Sequence, residues 1–412
     1  MADKIKILVL ASDRTGCSKF RSVDPHVQLQ KLYPDDFWVD IDYSPKLDDD
    51  DFLKQYQIIH YHRSMSPNYE YSNKVSERLK KLGIIEVMDL DDYWQPTMDH
   101  PAYMLIKEQK IDEKIKGNLK FADYIITTTK LFADKIRPWN KNVVVFENGI
   151  DPEEKQFIPN PEKNDLIRIG YLAGSSHLAD IEPLRGVAGL LDSNCKDKFQ
   201  MMLCGFDTRG QVSQIDQVTK EIKSRPIQPH ESVWYQYEKI FTENYTILDP
   251  KYKDYLMKFD KNPYPGEDNM PYRRVWTKPI STYASNYNKL SISLAPLKNH
   301  IFNAVKSPLK ISEAAFFKKA FVGQDFGPYT EDIISVFGEN GTINPKGNGV
   351  LIDSSRNHKD WYKSLKKLIE NPNLINDIGE KLYEDVHEKY DLNTITRNRA
   401  SWYKMIINEK NK

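Results

Sequence analysis

The stretch Ser291–Tyr329, SISLAPLKNHIFNAVKSPLKISEAAFFKKAFVGQDFGPY, decides how the rest of the chain is read. Ile292 to Pro296 form a short, mostly apolar run closed by proline, the pattern of a buried strand in a parallel sheet. A polar loop follows, and then a helix with a well-marked start. Ser307 is a residue type that caps free amide groups, and Pro308 sits at the first helical position with its φ already set. Ala314, Ala315, Phe316 and Phe317 carry the helix into a core.

With that start, Lys310 and Glu313 stand three residues apart on one face, one turn in from an end that carries partial positive charge. Lys306 lies just before the cap. Two lysines beside a helix N-terminus suit a diphosphate, and a carboxylate one turn further in accepts hydrogen bonds from a vicinal diol such as a ribose. A solvated helix start with an ordinary Glu–Lys pair has the same spacing.

The order of residues adds to the spacing. FNAVKSPLKISEAAFFKKAFVGQDFGPY, from Phe302 to Tyr329, resembles the donor-binding segment of GT-B glycosyltransferases, especially the bacterial or phage branch of glycosyltransferase family 4 that reads K-S-x-x-K-x-x-E. The resemblance implies an α/β chain of the GT-B class, two Rossmann-like domains with parallel sheets facing a central cleft. In that family the glutamate, here Glu313, holds the donor ribose. The wider family has two glutamates with seven residues between, of which Glu313 matches the second while the first falls on Val305, so the sugar-ring contact is not carried over.

Composition fits two domains. The 412 residues are 40% hydrophobic and 12% aromatic, enough for two separate cores. Lys plus Arg and Asp plus Glu stand at 59 each, so the whole chain offers no electrostatic case for nucleic acid or an anionic membrane. Cys17, Cys195 and Cys204 are too few and too scattered for a disulfide frame or a zinc site. Nothing at the N-terminus resembles a signal peptide, and no apolar run approaches the roughly 20 residues that span a bilayer. The expectation is a reduced, cytoplasmic protein without a transmembrane segment, in the host cytoplasm if it is viral.

In chain order, KIKILVL (Lys4–Leu10) and the loop ASDRTGCSKFRSVDPHVQLQ read as strand, loop and helix. Gly16 by itself is a plain turn. Members of the family branch often carry a glycine, an aromatic–Arg pair and a proline here, matched by Gly16, Phe20-Arg21 and Pro25, which implies a donor contact at Gly16 and an acceptor contact at Arg21. The acidic run Asp48–Asp51 reads as a solvated loop or helix start. YQIIHYH (Tyr56–His62) is a second strand that delivers His60, His62 and Arg63 to the carboxyl edge of a parallel sheet, where ligands bind. A histidine there equally serves as a structural residue.

GIIEVMDLDDYWQPTMDHPAY, from Gly83 to Tyr103, is a strand followed by Asp89, Asp91, Asp92, Tyr93 and Trp94. An Asp-x-Asp can hold a divalent ion, which would imply the single-domain GT-A type. The length and the Lys306–Glu313 segment argue against that, and D-x-D-D-Y-W with H-P-x-Y resembles the N-terminal domain of the same GT-B branch. No essential metal is expected. Asp91 or Asp92 would orient an acceptor hydroxyl or act as a base, with helix capping as the alternative, and Tyr93 would stack on a sugar.

ADYIITTTKLFADKI and NVVVFENGID complete the first domain, and the proline-rich PEEKQFIPNPEKND reads as a linker. IRIGYL (Ile167–Leu172) opens a new sheet, and AGSSHLAD matches the branch's G-x-x-H-x-x-D loop, with a helix expected to begin near Ala179. That match implies donor contacts at Ser176 and His177, against a surface loop with a serine cap. Residues 208–272, far longer than the usual loop of about 4–6 residues, read as an insertion with decoration as the simplest role. Arg273, Arg274 and Trp276 follow, and Arg274 is the expected phosphate contact. A last short strand is expected at Asn348–Ile352, and the final helix at Asn393–Ile407 would return to the first domain.

The expected organisation is therefore an acceptor domain at 1–152, a linker at 153–165, a nucleotide-sugar domain at 166–390 and a returning helix at 391–412. By resemblance the protein is a hexosyl- or pentosyltransferase, retaining and metal-independent, that requires no cofactor. Its donor would be a nucleotide sugar, a UDP-sugar ahead of a GDP-sugar, and its acceptor a glycan, lipid or small molecule. His62 and Asp92 are the candidate catalytic groups. Two alternatives stand: a phage-type enzyme acting on modified DNA bases, and a non-catalytic nucleotide- or sugar-binding protein.

Overall fold

The first sheet follows from apolar runs, its inner strands Ile58–His62 and Ile85–Leu90 being buried on both faces. Its order is Phe37–Asp42, Ile5–Leu10, Ile58–His62, Ile85–Leu90, Tyr124–Thr127 and Val143–Val145, six strands, all parallel. Side chains alternate faces along each strand, so the apolar runs supply two cores at once. Leu8, Leu10, Ile59, Tyr61, Met88 and Leu90 pack on one side. Ile7, Val9, Ile58, Val87 and Ile126 pack on the other, closed by Ile395, Ala400, Tyr403 and Ile406 of the helix Leu392–Lys410. Gly149 admits this terminal segment closely, since a Cβ there would lie 3.0 Å from the Leu392 Cα. Backbone bonds from Ile150 N to Tyr390 O (2.8 Å) and from Leu392 N to Ile150 O (2.9 Å) secure the crossing.

This is a computed structural model, and it describes residues 4–98, 100, 102–215, 222–242, 250–338, 342–353, 355 and 357–410. Asp99 and Pro101 of the D-H-P-A-Y stretch, and 216–221 and 243–249 of the segment 208–272, lie outside the described residues. Contacts divide the chain into two units, Met1–Lys155 with Asn299–Ser312 and Val386–Lys412, and Gln156–Lys298 with Glu313–Asp385.

The second unit holds another parallel six-stranded sheet, ordered Tyr272–Trp276, Phe199–Phe206, Ile167–Leu172, Ile292–Ala295, Ala320–Asp325 and Val350–Asp353. Ile169, Met201, Leu203, Leu294 and Val322 lie in its core, beside Trp361, Leu365 and Leu368 of the helix His358–Glu370.

Two sequence expectations change here. The helix expected near Ala179 is replaced by two short 3-10 turns, Leu178–Asp180 and Glu182–Leu184, and the α-helix begins only at Val187. Pro183 sits at the start of the second turn, and Gly186 takes a left-handed φ of 85°, a conformation that breaks a helix before Val187. The segment 208–272 is not surface decoration. It contributes a hairpin, Gln211–Ile215 with Ile222–Pro226, and the helices Val233–Thr242 and Pro250–Leu256. Its aromatics Trp234, Tyr237, Phe241, Tyr252 and Tyr255 are buried in the second core, in one cluster with Val187 and Leu191 of the helix Val187–Cys195.

Candidate functional site

Lys306, Ser307 and Lys310 are all half-buried at the start of the helix Leu309–Phe316. The Lys306 ammonium lies 4.9 Å from the Phe302 ring centre, a cation–π contact that fixes its stem. The Ser307 hydroxyl accepts from Asn148 Nδ2 at 3.0 Å. One turn into the same helix, Glu313 is fully buried. Its carboxylate accepts from the hydroxyls of Tyr283 and Tyr287, the latter at 2.8 Å. Both tyrosines belong to the 3-10 helix Tyr283–Lys289, and Tyr287 stacks on Phe317 with ring centres 5.3 Å apart. Glu313 is thus an oriented acceptor rather than a solvated partner for a lysine.

The loop after Ile167–Leu172 is organised by Asp180. Its Oδ2 lies 2.8 Å from His177 Nδ1, and its Oδ1 accepts the Lys298 amide at 3.0 Å. The Tyr237 hydroxyl donates to Gly174 O at 3.1 Å, while Ser176 is exposed. His177 is therefore oriented by Asp180.

Arg274 is placed elsewhere. Its side chain is buried in an ion pair with Glu238, with Nη2 to Oε2 at 2.8 Å and a further bond from Nε to Oε1. Its other donors meet the carbonyls of Leu256 and Lys258, and Phe206 and Phe259 pack on the guanidinium at 4.8 and 4.9 Å. The basic residue read as a phosphate contact is a core staple in this arrangement.

In the first unit Arg21 is also buried. It grips Asp89 with two bonds, Nε to Oδ1 at 2.8 Å and Nη2 to Oδ2 at 3.0 Å, and its Nη1 donates to Phe146 O and Asn148 Oδ1 at 2.7 and 2.9 Å. The network Asp89–Arg21–Asn148–Ser307 thus runs from the carboxyl end of the strand Ile85–Leu90 to the start of the helix Leu309–Phe316. His60 is fully enclosed, 4.4 Å from the His26 ring, with Tyr403 Oη 3.5 Å from its Nδ1. Burial pushes its pKa well below the usual histidine value, with the charges of His26 and Arg399 adding to the effect.

Beyond the strand ends, His62 Nε2 lies 2.6 Å from Asp91 Oδ1, and Arg63 Nη2 donates to the same oxygen at 2.9 Å and to Asp92. Arg63 holds a left-handed φ of 61° to do so. Burial acts to raise the Asp91 pKa, and the His62 and Arg63 charges overcome it, so the carboxyl stays well below its ordinary range. Tyr93 lies nearly parallel to Trp94 at 4.4 Å. Gly16 opens the short helix Gly16–Ser18, after a turn in which Asp13 accepts the Thr15 amide at 2.7 Å.

Cys17 brings a thiol near this group, and its Sγ and oxygens of Asp91 and Asp92 lie within 4.8 Å of one another. Arg63 already bonds both carboxylates. Burial, joined by the Asp91 charge, pushes the thiol far above its ordinary pKa, away from the thiolate a metal needs.

The structure therefore brings together His62, Arg63, Asp91 and Asp92 in one group and Lys306, Ser307, Lys310 and Glu313 on one segment. It encloses Arg21, His60 and Arg274. Asp180, the last residue of the G-x-x-H-x-x-D match, orients His177, and Tyr283 and Tyr287 are positioning residues that the sequence alone did not mark. The i, i+4 spacing of the two tyrosines is the signal that was available.

No protein-family model matches this chain, and no curated protein matches it in sequence. Solved structures do match in fold. Anabaena HepE, solved in complex with UDP-glucose, aligns over 97% of this chain and 100% of its own with a TM-score of 0.56 at 12% identity. S. aureus MnaA, solved with UDP, aligns over 98% of this chain and 97% of its own with a TM-score of 0.53 at 12% identity. The catalytic domain of starch synthase IV from Arabidopsis thaliana, bound to ADP and acarbose, covers 99% of each chain with a TM-score of 0.53 at 8% identity. With its two parallel six-stranded sheets and full-length alignment to these structures, the chain has the GT-B fold.

Proposed function

We propose that this protein is a glycosyltransferase that moves a sugar from a nucleotide-diphosphate sugar, a UDP-sugar in the first instance, to an acceptor hydroxyl without a metal ion. The observation that carries the reading is Glu313, a fully buried carboxylate oriented by two tyrosyl hydroxyls one turn behind Lys306, Ser307 and Lys310. In this role Glu313 accepts hydrogen bonds from the ribose hydroxyls, and the diphosphate lies against the helix start.

As the glycosidic bond breaks, the leaving diphosphate gains negative charge, and Lys310, Lys306 and the helix N-terminus stabilise it. His177, held by Asp180, would also contact the donor, as would Gly16 and Ser176. His62, Arg63, Asp91, Asp92 and Tyr93 would orient the acceptor, a glycan, lipid or small molecule. Retention follows if the leaving phosphate itself takes the acceptor proton, and then His62 and Asp92 position rather than deprotonate. Arg21, His60 and Arg274 have structural roles in this proposal. A donor domain at 166–390 and an acceptor domain at 1–152 complete it. Among the described residues no helix is long and apolar enough to cross a membrane.

Calorimetry with UDP, GDP and their sugar conjugates in the presence of EDTA tests the proposal. Lys310→Ala and Glu313→Ala should each weaken nucleotide binding about tenfold or more, the scale of one lost charge-assisted hydrogen bond. Absence of binding, or binding that appears only with manganese, would sink it.

A further inference from the structure

Two tyrosines meet Glu313 within the second unit, and they are not equivalent. Tyr287 is fully buried, its ring stacks on Phe317 at 5.3 Å with an interplanar angle of 16°, and its hydroxyl donates to Glu313 Oε2 at 2.8 Å. Moving it would open the core. Tyr283 precedes it in the same 3-10 helix, is only half-buried, and donates its hydroxyl to Oε1.

The backbone that carries Tyr283 is fixed on both sides. Its own amide donates to Pro279 O at 3.0 Å. The buried side chain of Gln156 donates to Ile280 O at 3.2 Å and accepts the Ala284 amide at 3.4 Å. Movement of the phenol is therefore a rotation about its own side-chain bonds and needs no rearrangement of the chain.

A phenol hydroxyl and a ribose hydroxyl meet a carboxylate in the same way, each donating one hydrogen bond to an oxygen. The Tyr283 hydroxyl thus takes the kind of acceptor position that the proposed function gives to the sugar. A vicinal diol brings two hydroxyls against one phenol, so exchange favours the nucleotide by about one hydrogen bond rather than two.

We propose that Tyr283 is a built-in competitor for the donor ribose, a residue that holds Glu313 Oε1 and gives it up when a nucleotide binds, while Tyr287 keeps the carboxylate oriented throughout. This rests on the reading of Glu313 as the ribose acceptor. When the nucleotide diphosphate departs after transfer, the phenol returns, so the buried carboxylate keeps its donors and release costs about one hydrogen bond less.

Calorimetry with UDP and GDP in EDTA, on the parent chain, Tyr283→Phe, Glu313→Ala and the double variant, tests this. Phenylalanine keeps the ring and removes only the hydroxyl. Whichever nucleotide binds the parent more tightly should bind Tyr283→Phe about tenfold more tightly still, the scale of one hydrogen bond to a charged group. The gain should vanish on the Glu313→Ala background, since the competition acts only through that carboxylate. A tyrosine that merely positions Glu313 gives the opposite sign. Unchanged or weakened binding in Tyr283→Phe, or a gain that persists without Glu313, overturns the proposal. Crystals of the nucleotide complex give a second readout that needs no variant. A ribose hydroxyl should lie on Glu313 with the Tyr283 hydroxyl moved off Oε1, and a complex in which Tyr283 keeps that bond overturns the proposal. If neither nucleotide binds the parent or Tyr283→Phe, the transferase reading fails and this proposal falls with it. Equal affinity in those two chains removes this proposal alone.

Discussion

Arg21→Met should destabilise the first unit severely, although no substrate needs to touch Arg21. Both partners of its pair with Asp89 are fully buried, so the substitution leaves a carboxylate in the core with its two guanidinium bonds gone. Breaking a buried pair from one side costs about 3–5 kcal/mol. The freed carbonyl of Phe146 and the Asn148 side chain add to the loss. An opposing effect acts through Arg399, which is buried nearby and whose pKa is lowered by burial first and then by interactions that include the Arg21 charge. Removing Arg21 relieves that repulsion and leaves Arg399 as a distant countercharge for Asp89. The cost should therefore fall near the lower end, about 3 kcal/mol, a factor of roughly a hundred or more in the opening equilibrium.

Hydrogen exchange of the strand amides in Ile58–His62 and Ile85–Leu90 reads that opening directly, without assuming that both units unfold together. Arg21→Met with Asp89→Leu should recover most of the loss, since replacing a buried pair by apolar groups is near neutral or stabilising. A single-variant cost below about 1 kcal/mol, or a double variant worse than the single, would refute the reasoning.

Arg274→Met should destabilise the second unit by a similar roughly 3–5 kcal/mol through the stranded Glu238, and leave nucleotide affinity unchanged in calorimetry at a temperature where the variant is folded. A specific loss of nucleotide affinity would return Arg274 to the donor site. Glu86 is buried against Tyr61 and Ser76, and burial pushes its pKa from an ordinary 4.5 up to about 7, against the hydrogen bonds that lower it. Its folded value is raised, so its contribution is fully present below pH 4.5 and is lost as pH rises through about 7, by an amount on the order of 3 kcal/mol. His26, pushed down to about 3 by burial and then by the Arg399 charge, works in the opposite sense, its contribution being lost as pH falls below about 6.5. Thermal denaturation of Glu86→Gln from pH 4.5 to 7 should therefore show a steeper acid loss than the parent chain. A parallel profile would refute the assignment.

The sheets were legible because parallel strands buried on both faces are continuous apolar runs. KIKILVL, IRIGYL and FQMMLC each lie where a strand is found, and Pro308 marked the helix Leu309–Phe316. Lys306, Ser307, Lys310 and Glu313 could be named together for a different reason, since they fall within the single short stretch 306–313. What the sequence did not show was pairing at a distance. Arg21 finds Asp89 68 positions downstream, and Arg274 finds Glu238 36 positions upstream. A cation in a motif reads as a ligand contact until its carboxylate is located. The segment 208–272 departs from the decoration expected of it for the same reason, because an aromatic-rich stretch without strong periodicity does not show which distant core its rings join.

The arrangement of Glu313 also bears on the choice between a donor site and a plain helix start. A glutamate in a surface Glu–Lys pair keeps its carboxylate in water, where the pair contributes only a few tenths of a kcal/mol. Glu313 is instead withdrawn from water and met by two phenol hydroxyls whose rings belong to a neighbouring element. Burying a carboxylate carries a desolvation cost that a helix start has no use for. The tyrosines offset part of that cost and fix the oxygens in direction. The candidate contacts His177, Ser307 and His62 show the same construction, each held by a group behind it, respectively Asp180, Asn148 and Asp91. Each of these side chains is thereby held in one orientation, as the proposed donor and acceptor contacts require, and a merely solvated charge is not.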